Sequence, residues 1–229
     1  MKKVLILGGN SDIGVKIINT LINEKKISLT VHFNKKFPKK KYKRSLSFIK
    51  KDLSKINEKN VKKIFDNNYD IIINLVGYVS NQSFQNFSLK EIQKTILINS
   101  FAPLLIIKNS IKNMKKKNFG RIINTSSVGI KFGGGLSTFA YSLSKHINEF
   151  IPYEIRKLSS KNILYNTLRI GVTNTRFHKK IKNKSIKKRI KLIPIKKMAS
   201  SNDIANYIIF LIHNNNFITN EIINITGGE

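Results

Sequence analysis

Short apolar runs and longer stretches of helical periodicity alternate from one end of the chain to the other. Val4 to Leu7 is wholly apolar and stops at glycines, and Ile13 to Ile22 then sets apolar residues at helical spacing. Ser28 to Phe33 predicts the next strand, Ser47 to Ile49 another, and Asn57 to Phe65 a helix. Ile71 to Val76 reads as a fully apolar strand, and Leu89 to Met114 as a long helix with an interruption expected near Pro103. Arg121 to Thr125 predicts a strand, Thr138 to Leu158 a helix, Ile163 to Ile170 a strand, Asn202 to His213 a helix and Glu221 to Thr226 a last strand. Strands that are apolar on both faces, alternating with helices, predict an α/β fold: a doubly wound parallel sheet with helices on both sides. Asn34 to Arg44 and Thr173 to Leu192 break the rhythm and are expected to be basic loops. With no repeat or linker in 229 residues, one domain over 1–229 is expected.

Composition narrows the function classes. The chain is 41% hydrophobic and 24% charged, which suits a globule with a sizeable core and excludes disorder or a coiled coil. There is no Cys, so no disulfide, thiolate metal site or Cys nucleophile is available. No apolar run is long enough for a membrane helix, and Gly8 to Asn10 cut short what would otherwise resemble a signal-peptide start. A cytoplasmic protein is expected. The net charge of +31 invites a polyanion partner, but only six of the 43 basic residues are Arg. Base and phosphate readers rely on Arg forks with interleaved aromatics, whereas here Lys is scattered over nearly every segment, so nucleic acid is not the expected partner.

Two segments carry candidate chemistry. Leu7-Gly8-Gly9-Asn10-Ser11-Asp12-Ile13-Gly14 joins the first strand to the first helix. Glycine lets backbone approach a pyrophosphate, whose charge is stabilised by free N–H groups at a helix N-terminus. Taken alone, the segment is also compatible with a plain strand-to-helix turn capped by Ser or Asp. Tyr141-Ser142-Leu143-Ser144-Lys145 puts a phenol and an ammonium on one helix face. A neighbouring cation favours the phenolate and lowers its pKa, making a proton donor and acceptor. In a Lys-rich chain the same spacing also arises without function.

Together these segments resemble the short-chain dehydrogenase/reductase family, in its compact single-domain branch, and the resemblance runs over nearly the whole chain. The family's cofactor turn, Thr-Gly-x-x-x-Gly-x-Gly, is matched with Leu7 for Thr and Asp12 for the middle Gly. Asp52, followed by Leu53, matches the acidic residue that contacts adenine, and Asn74-Leu75-Val76-Gly77 matches Asn-Asn-Ala-Gly with two positions altered. Asn99, Ser127, Tyr141 and Lys145 match the four catalytic positions. Ile170-Gly171 stands for Pro-Gly, followed by Thr173 and Thr175. The stretches from Ile193-Pro194 to Asp203-Ile204-Ala205 and at Thr226-Gly227-Gly228 match the family's usual ending.

The resemblance implies a Rossmann-type NAD(P)-dependent oxidoreductase in which hydride moves between nicotinamide and a carbonyl carbon. Tyr141 would transfer the proton and Ser127 polarise the oxygen. Lys145 would bind the ribose hydroxyls and lower the Tyr pKa, and Asn99 would place a water that links Lys145 to solvent. Gly8, Asn10, Ser11, Asp12, Ile13, Gly14, Asn34, Lys35, Asp52, Leu53, Asn74, Gly77, Gly171, Thr173 and Thr175 are the expected cofactor contacts. Asn34, Lys35 and Lys36 follow the second strand where a carboxylate would select NAD, so NADP(H) is favoured. Residues 173–192 match the family's substrate lid. Their basic residues, Arg176, Lys182, Lys184 and Arg189 among them, suit an anionic or carrier-protein-bound carbonyl or alcohol substrate. His178 is a further candidate there, and no metal site is expected. A 3-oxoacyl carrier-protein reductase is the leading expectation. The alternatives are a sugar or polysaccharide-precursor reductase, or a catalytically silent nucleotide-sensing or polyanion-binding relative. A homotetramer or homodimer is also implied.

Overall fold

The structure is a computed structural model that describes residues 1–37, 42, 46–181 and 185–229. Arg44 of the first expected loop and Lys182 and Lys184 of the second lie outside the described residues. Seven strands form one parallel sheet: β1 (Lys2–Leu7), β2 (Ile27–Phe33), β3 (Leu46–Lys50), β4 (Ile71–Asn74), β5 (Gly120–Ser127), β6 (Ile163–Ile170) and β7 (Ile222–Ile225). Their spatial order is β3-β2-β1-β4-β5-β6-β7, so the chain winds outward from β1 in one direction and then from β4 in the other. The order reverses between β1 and β4, whose register pairs Leu7 with Asn74.

The apolar strands are explained by two cores. Leu5, Leu7, Ile72, Ile122 and Tyr165 face one side with Ile106, Ile107 and Met114. Val4, Ile6, Ile71, Ile73, Ile123 and Leu168 face the other with Ile17, Ile18, Ile208 and Leu211. Successive strand residues point to opposite faces, and both faces are covered, so no position in β1 or β4 is left for a polar residue except at the ends. Each fully buried Leu or Ile contributes about 1.5–3 kcal/mol.

Helix α1 (Asp12–Leu21) starts at Ser11, whose Oγ accepts from the Gly14 N–H at 3.1 Å. Helix α2 (Val61–Ile64) is a single turn, shorter than the pattern over Asn57–Phe65 predicts; Asn57 and Asn60 spend their side chains on turn hydrogen bonds instead. Helix α3 (Leu89–Ile96) runs into α4 (Ala102–Lys117) through a wide turn at Leu97–Phe101, without a break at Pro103. The proline sits in the first turn of α4, where a missing N–H costs little.

The helix predicted over Thr138–Leu158 is divided. Helix α5 (Phe139–Ile147) ends where the Asn148 side chain turns into the protein, and α6 (Tyr153–Arg156) begins after Pro152. Proline disfavours helical backbone at the residue before it, so the two cannot merge. The segment expected to be loop over Thr173–Leu192 contains a short 3₁₀ turn, Arg176–Lys180, and α7 (Ile186–Leu192), which Ser185 caps. Helix α8 (Ser201–His213) opens on a capping box of Ser200 and Asp203. Among the described residues, no helix is long and apolar enough to cross a membrane.

Candidate active site and nucleotide cradle

The strands deliver their loops to one edge of the sheet, and there a cavity of about 1270 Å³ opens over the point where strand order reverses. Its wall takes residues from the β1–α1 turn, the ends of β2 and β3, the β4 loop, β5, α5 and the lid.

At one end lies the glycine turn. Gly8 has φ of +71°, and a Cβ there would approach the Leu75 carbonyl to 3.1 Å. At Gly14 a Cβ would lie 2.6 Å from the Gly9 oxygen, so α1 can sit down on the turn only with glycine at that position. Buried His32 braces the same turn: the Gly8 N–H donates to its Nδ1 at 3.3 Å, and its Nε2 lies 2.8 Å from the Lys51 oxygen. That pairing fixes the neutral ring with hydrogen on Nε2, and burial lowers its pKa. The N–H groups of Asp12 and Ile13 have no partner inside the helix, so the turn fits a phosphate group as the sequence implies.

Asp12 is the first residue of α1 and is absent from the positive-φ positions, so the backbone there has no need of the glycine usual in the family. Both of its carboxylate oxygens are taken by Arg176: the backbone N–H donates to Oδ2 and Nε to Oδ1, each at 2.6 Å. Leu7, in place of the family's Thr, is buried, and its carbonyl accepts from Leu75 N–H at 3.0 Å. Asn10, Ser11, Ile13, Asn34, Lys35, Asp52 and Leu53 line the cavity with the turn. Burial works against ionisation of Asp52, but hydrogen bonds from the Ser54 backbone and side chain outweigh it and hold the carboxyl below its ordinary pKa.

Toward the other end, Ser127 closes β5, and Tyr141 and Lys145 face it from α5. The Ser127 hydroxyl neighbours the Tyr141 phenol, and the Tyr141 ring packs on Phe177 at 5.3 Å between centroids. Lys145 is 2% exposed; its Nζ donates to Val76 O at 2.8 Å, Thr125 O at 3.0 Å and Thr125 Oγ1 at 3.2 Å, and stands 5.9 Å from the Tyr141 ring centre. The expected lowering of the phenol pKa is not what this arrangement produces. Burial pushes Tyr141 above its ordinary value, with the Ser127 hydrogen bond offsetting part, and burial brings Lys145 down to about 7. The Lys145 nitrogen is committed to Val76 O and to the Thr125 carbonyl and hydroxyl, and it does not offset the effect of burial on the phenol.

Three expected site residues lie behind the wall rather than on it. Gly14 is under the turn, and Asn74 is fully buried, donating to Asn124 Oδ1 at 2.7 Å and accepting from Val76 N–H at 3.1 Å. Asn99, also fully buried, sits in the wide turn between α3 and α4. Its side chain accepts from Tyr78 N–H at 2.7 Å and donates to Tyr78 O and Ser144 Oγ, each at 2.9 Å. Its carbonyl accepts from Asn148 Nδ2 at 3.2 Å, and the same Nδ2 donates to Thr125 O at 3.1 Å. Sequence reasoning missed Asn148, Thr125 and His32, and it placed Arg176 only among the basic lid residues for an anionic substrate, not beside Asp12. Asn148 alone left a signal, lying three residues after Lys145 on the helical face that carries Tyr141 and Lys145.

Gly77, Gly171, Thr173 and Thr175 line the cavity. Its remaining wall is largely apolar, with Phe132, Leu136, Phe177, Ile181, Leu192 and Pro194, beside the Arg189–Glu229 ion pair. Among the described residues, no cluster of His, Asp or Glu is grouped to hold a metal.

A protein-family model described as enoyl-(acyl carrier protein) reductase matches residues 14–229. The 3-oxoacyl-[acyl-carrier-protein] reductase FabG of Buchnera aphidicola subsp. Schizaphis graminum is 32% identical over 238 aligned positions, covering 99% of this chain and 96% of that protein. The solved structure of 4-hydroxyisoleucine dehydrogenase complexed with NADH superposes with a TM-score of 0.86 at 25% identity, covering 100% of this chain and 98% of that one. ElxO with NADP bound superposes with a TM-score of 0.83 at 25% identity, covering 99% and 98%.

Proposed function

Because the chain belongs to the short-chain dehydrogenase/reductase family of oxidoreductases, we propose that it reduces the 3-oxo group of an acyl thioester carried on a carrier protein, with NADPH as reductant. One observation carries the reading: Tyr141, Ser127 and Lys145 converge on the wall of the cavity whose far end is the glycine turn. The cofactor, when bound, supplies the hydride. Tyr141 Oη gives its proton to the carbonyl oxygen as that oxygen gains charge, and Ser127 Oγ donates a hydrogen bond to the same oxygen at little reorganisation cost. Hydride and proton together convert C=O to CH–OH. Lys145 would hold the ribose hydroxyls by exchanging for them acceptors it now meets at Val76 and Thr125, and, when protonated, would favour the phenolate that remains. Asn99 supports the site from behind by fixing Tyr78 and Ser144.

The preference for NADPH is supported by Asn34 and Lys35 on the wall after β2, where no carboxylate is present to meet a ribose hydroxyl. The turn, Asp52 and Leu53 cradle the remainder of the nucleotide, with Gly77, Gly171, Thr173 and Thr175 along its path. The apolar wall at Phe132, Leu136, Ile181 and Leu192 favours an acyl chain over a sugar. Ser127 beside the proton donor suits a carbonyl oxygen rather than a carbon–carbon double bond. Phe101 just before α4, Leu104 on α4 and Leu143 on α5 are exposed, which supports a homo-oligomer built through those helices.

The test is a rate assay with NADPH or NADH and a short 3-oxoacyl thioester, followed by loss of reduced nicotinamide. Tyr141→Phe is expected to lower kcat by at least about 100-fold while leaving NADPH affinity within a few-fold. Turnover of the variant at the wild-type rate, or reduction of sugars but not thioesters, would overturn the assignment.

A further inference from the structure

We infer that Arg176 is the counter-ion that lets this glycine turn accept a dinucleotide pyrophosphate beside the carboxylate of Asp12, so that lid arginine and turn aspartate act as one unit. The inference rests on the nucleotide-binding reading above and adds a residue to it. A helix N-terminus attracts one anion through its free N–H groups and dipole. Asp12 already places a carboxylate at the start of α1, and a pyrophosphate arriving there meets a like charge.

Arg176 removes that conflict. Its backbone N–H and Nε engage both Asp12 oxygens, and Nη2 donates to Asn10 O at 3.0 Å, so the guanidinium spans the turn from outside. Nη1 has no partner among the described residues, and the side chain, 66% exposed, stands on the cavity wall. An ion pair with so open an arginine adds little to stability, and Ser11 already caps the helix, so folding does not explain why the acid and the arginine meet. The contact joins positions 164 residues apart and ties the lid to the nucleotide turn. The contact that neutralises Asp12 is therefore the same one that ties the lid to the turn.

The experiment is a fluorescence titration with NADPH and with NADH of the wild type, Arg176→Ala, Asp12→Gly and the double variant, at one ionic strength. Arg176→Ala is expected to raise Kd for both nucleotides about tenfold or more, equivalent to about 1.4 kcal/mol. Asp12→Gly is expected to bind at least as tightly as the wild type, and the double variant to return to within about threefold of it. Thermal midpoints should agree within about 3 °C, because the guanidinium side of the pair is exposed. Two results sink the inference: wild-type affinity in Arg176→Ala, or an equal loss whether residue 12 is Asp or Gly. A wild type that binds neither nucleotide sinks the dinucleotide reading itself, which separates the two failures.

Discussion

Replacing Lys145 by Met should change how stability depends on pH. Lys145 Nζ is held by three acceptors, yet burial lowers its pKa from 10.5 to about 7. Between those values the unfolded chain binds a proton that the folded chain does not, so stability rises with pH across the window and is lost as pH falls toward 7. The whole displacement corresponds to about 5 kcal/mol, at about 1.4 kcal/mol per pH unit. Integrating from about pH 7 to about pH 9, the wild type should gain about 2 kcal/mol that the Met variant does not. The substitution also carries a cost of about 1–3 kcal/mol at every pH, since Val76 O loses the Lys145 donor while Thr125 O keeps only Asn148 Nδ2. The change with pH is free of that constant cost, because both proteins share every other titrating group. Urea unfolding of both, without nucleotide, at about pH 7 and about pH 9 gives the quantity directly. Stability curves that run parallel within about 0.5 kcal/mol would refute the argument that burial holds this lysine near neutrality.

Gly14→Ala places a methyl 2.6 Å from the Gly9 oxygen, and the turn must move. A loss of about 1–3 kcal/mol and at least about tenfold in NADPH affinity is expected, read by thermal melting and titration. His32 has a lowered pKa because it is buried, so the unfolded chain protonates first as pH drops below 6.5. Stability should fall through that range by up to about 1.4 kcal/mol per pH unit, and urea midpoints of the wild type and His32→Gln should converge in acid. Asn148→Leu strips the donor from Asn99 O and one donor from Thr125 O, at a cost of about 1–3 kcal/mol in urea unfolding. Asn148→Asp should be worse still, since it turns a carboxylate toward both carbonyls.

The alternation of apolar runs and helical periods determined the doubly wound sheet, because a strand covered on both faces can only be apolar throughout and a helix covered on one must repeat near 3.6 residues. The glycine turn and the Tyr141–Lys145 spacing were legible for the same reason: each is a local geometry that one segment of chain dictates by itself. What ended the elements was less visible. Asn148 stops α5 with hydrogen bonds to Asn99 and Thr125, partners supplied by other strands and helices. The direction of the Tyr141 and Lys145 pKa shifts also had to wait, since spacing shows only that a phenol and an ammonium are neighbours. Burial, which the fold imposes, sets the sign for both. Asp12 is the sharpest case. In the sequence it is a departure from a glycine pattern, and only the fold brings Arg176 across 164 residues to meet it. Local steric and periodic constraints are written in consecutive residues, whereas desolvation and long-range charge pairing exist only once distant segments share a site.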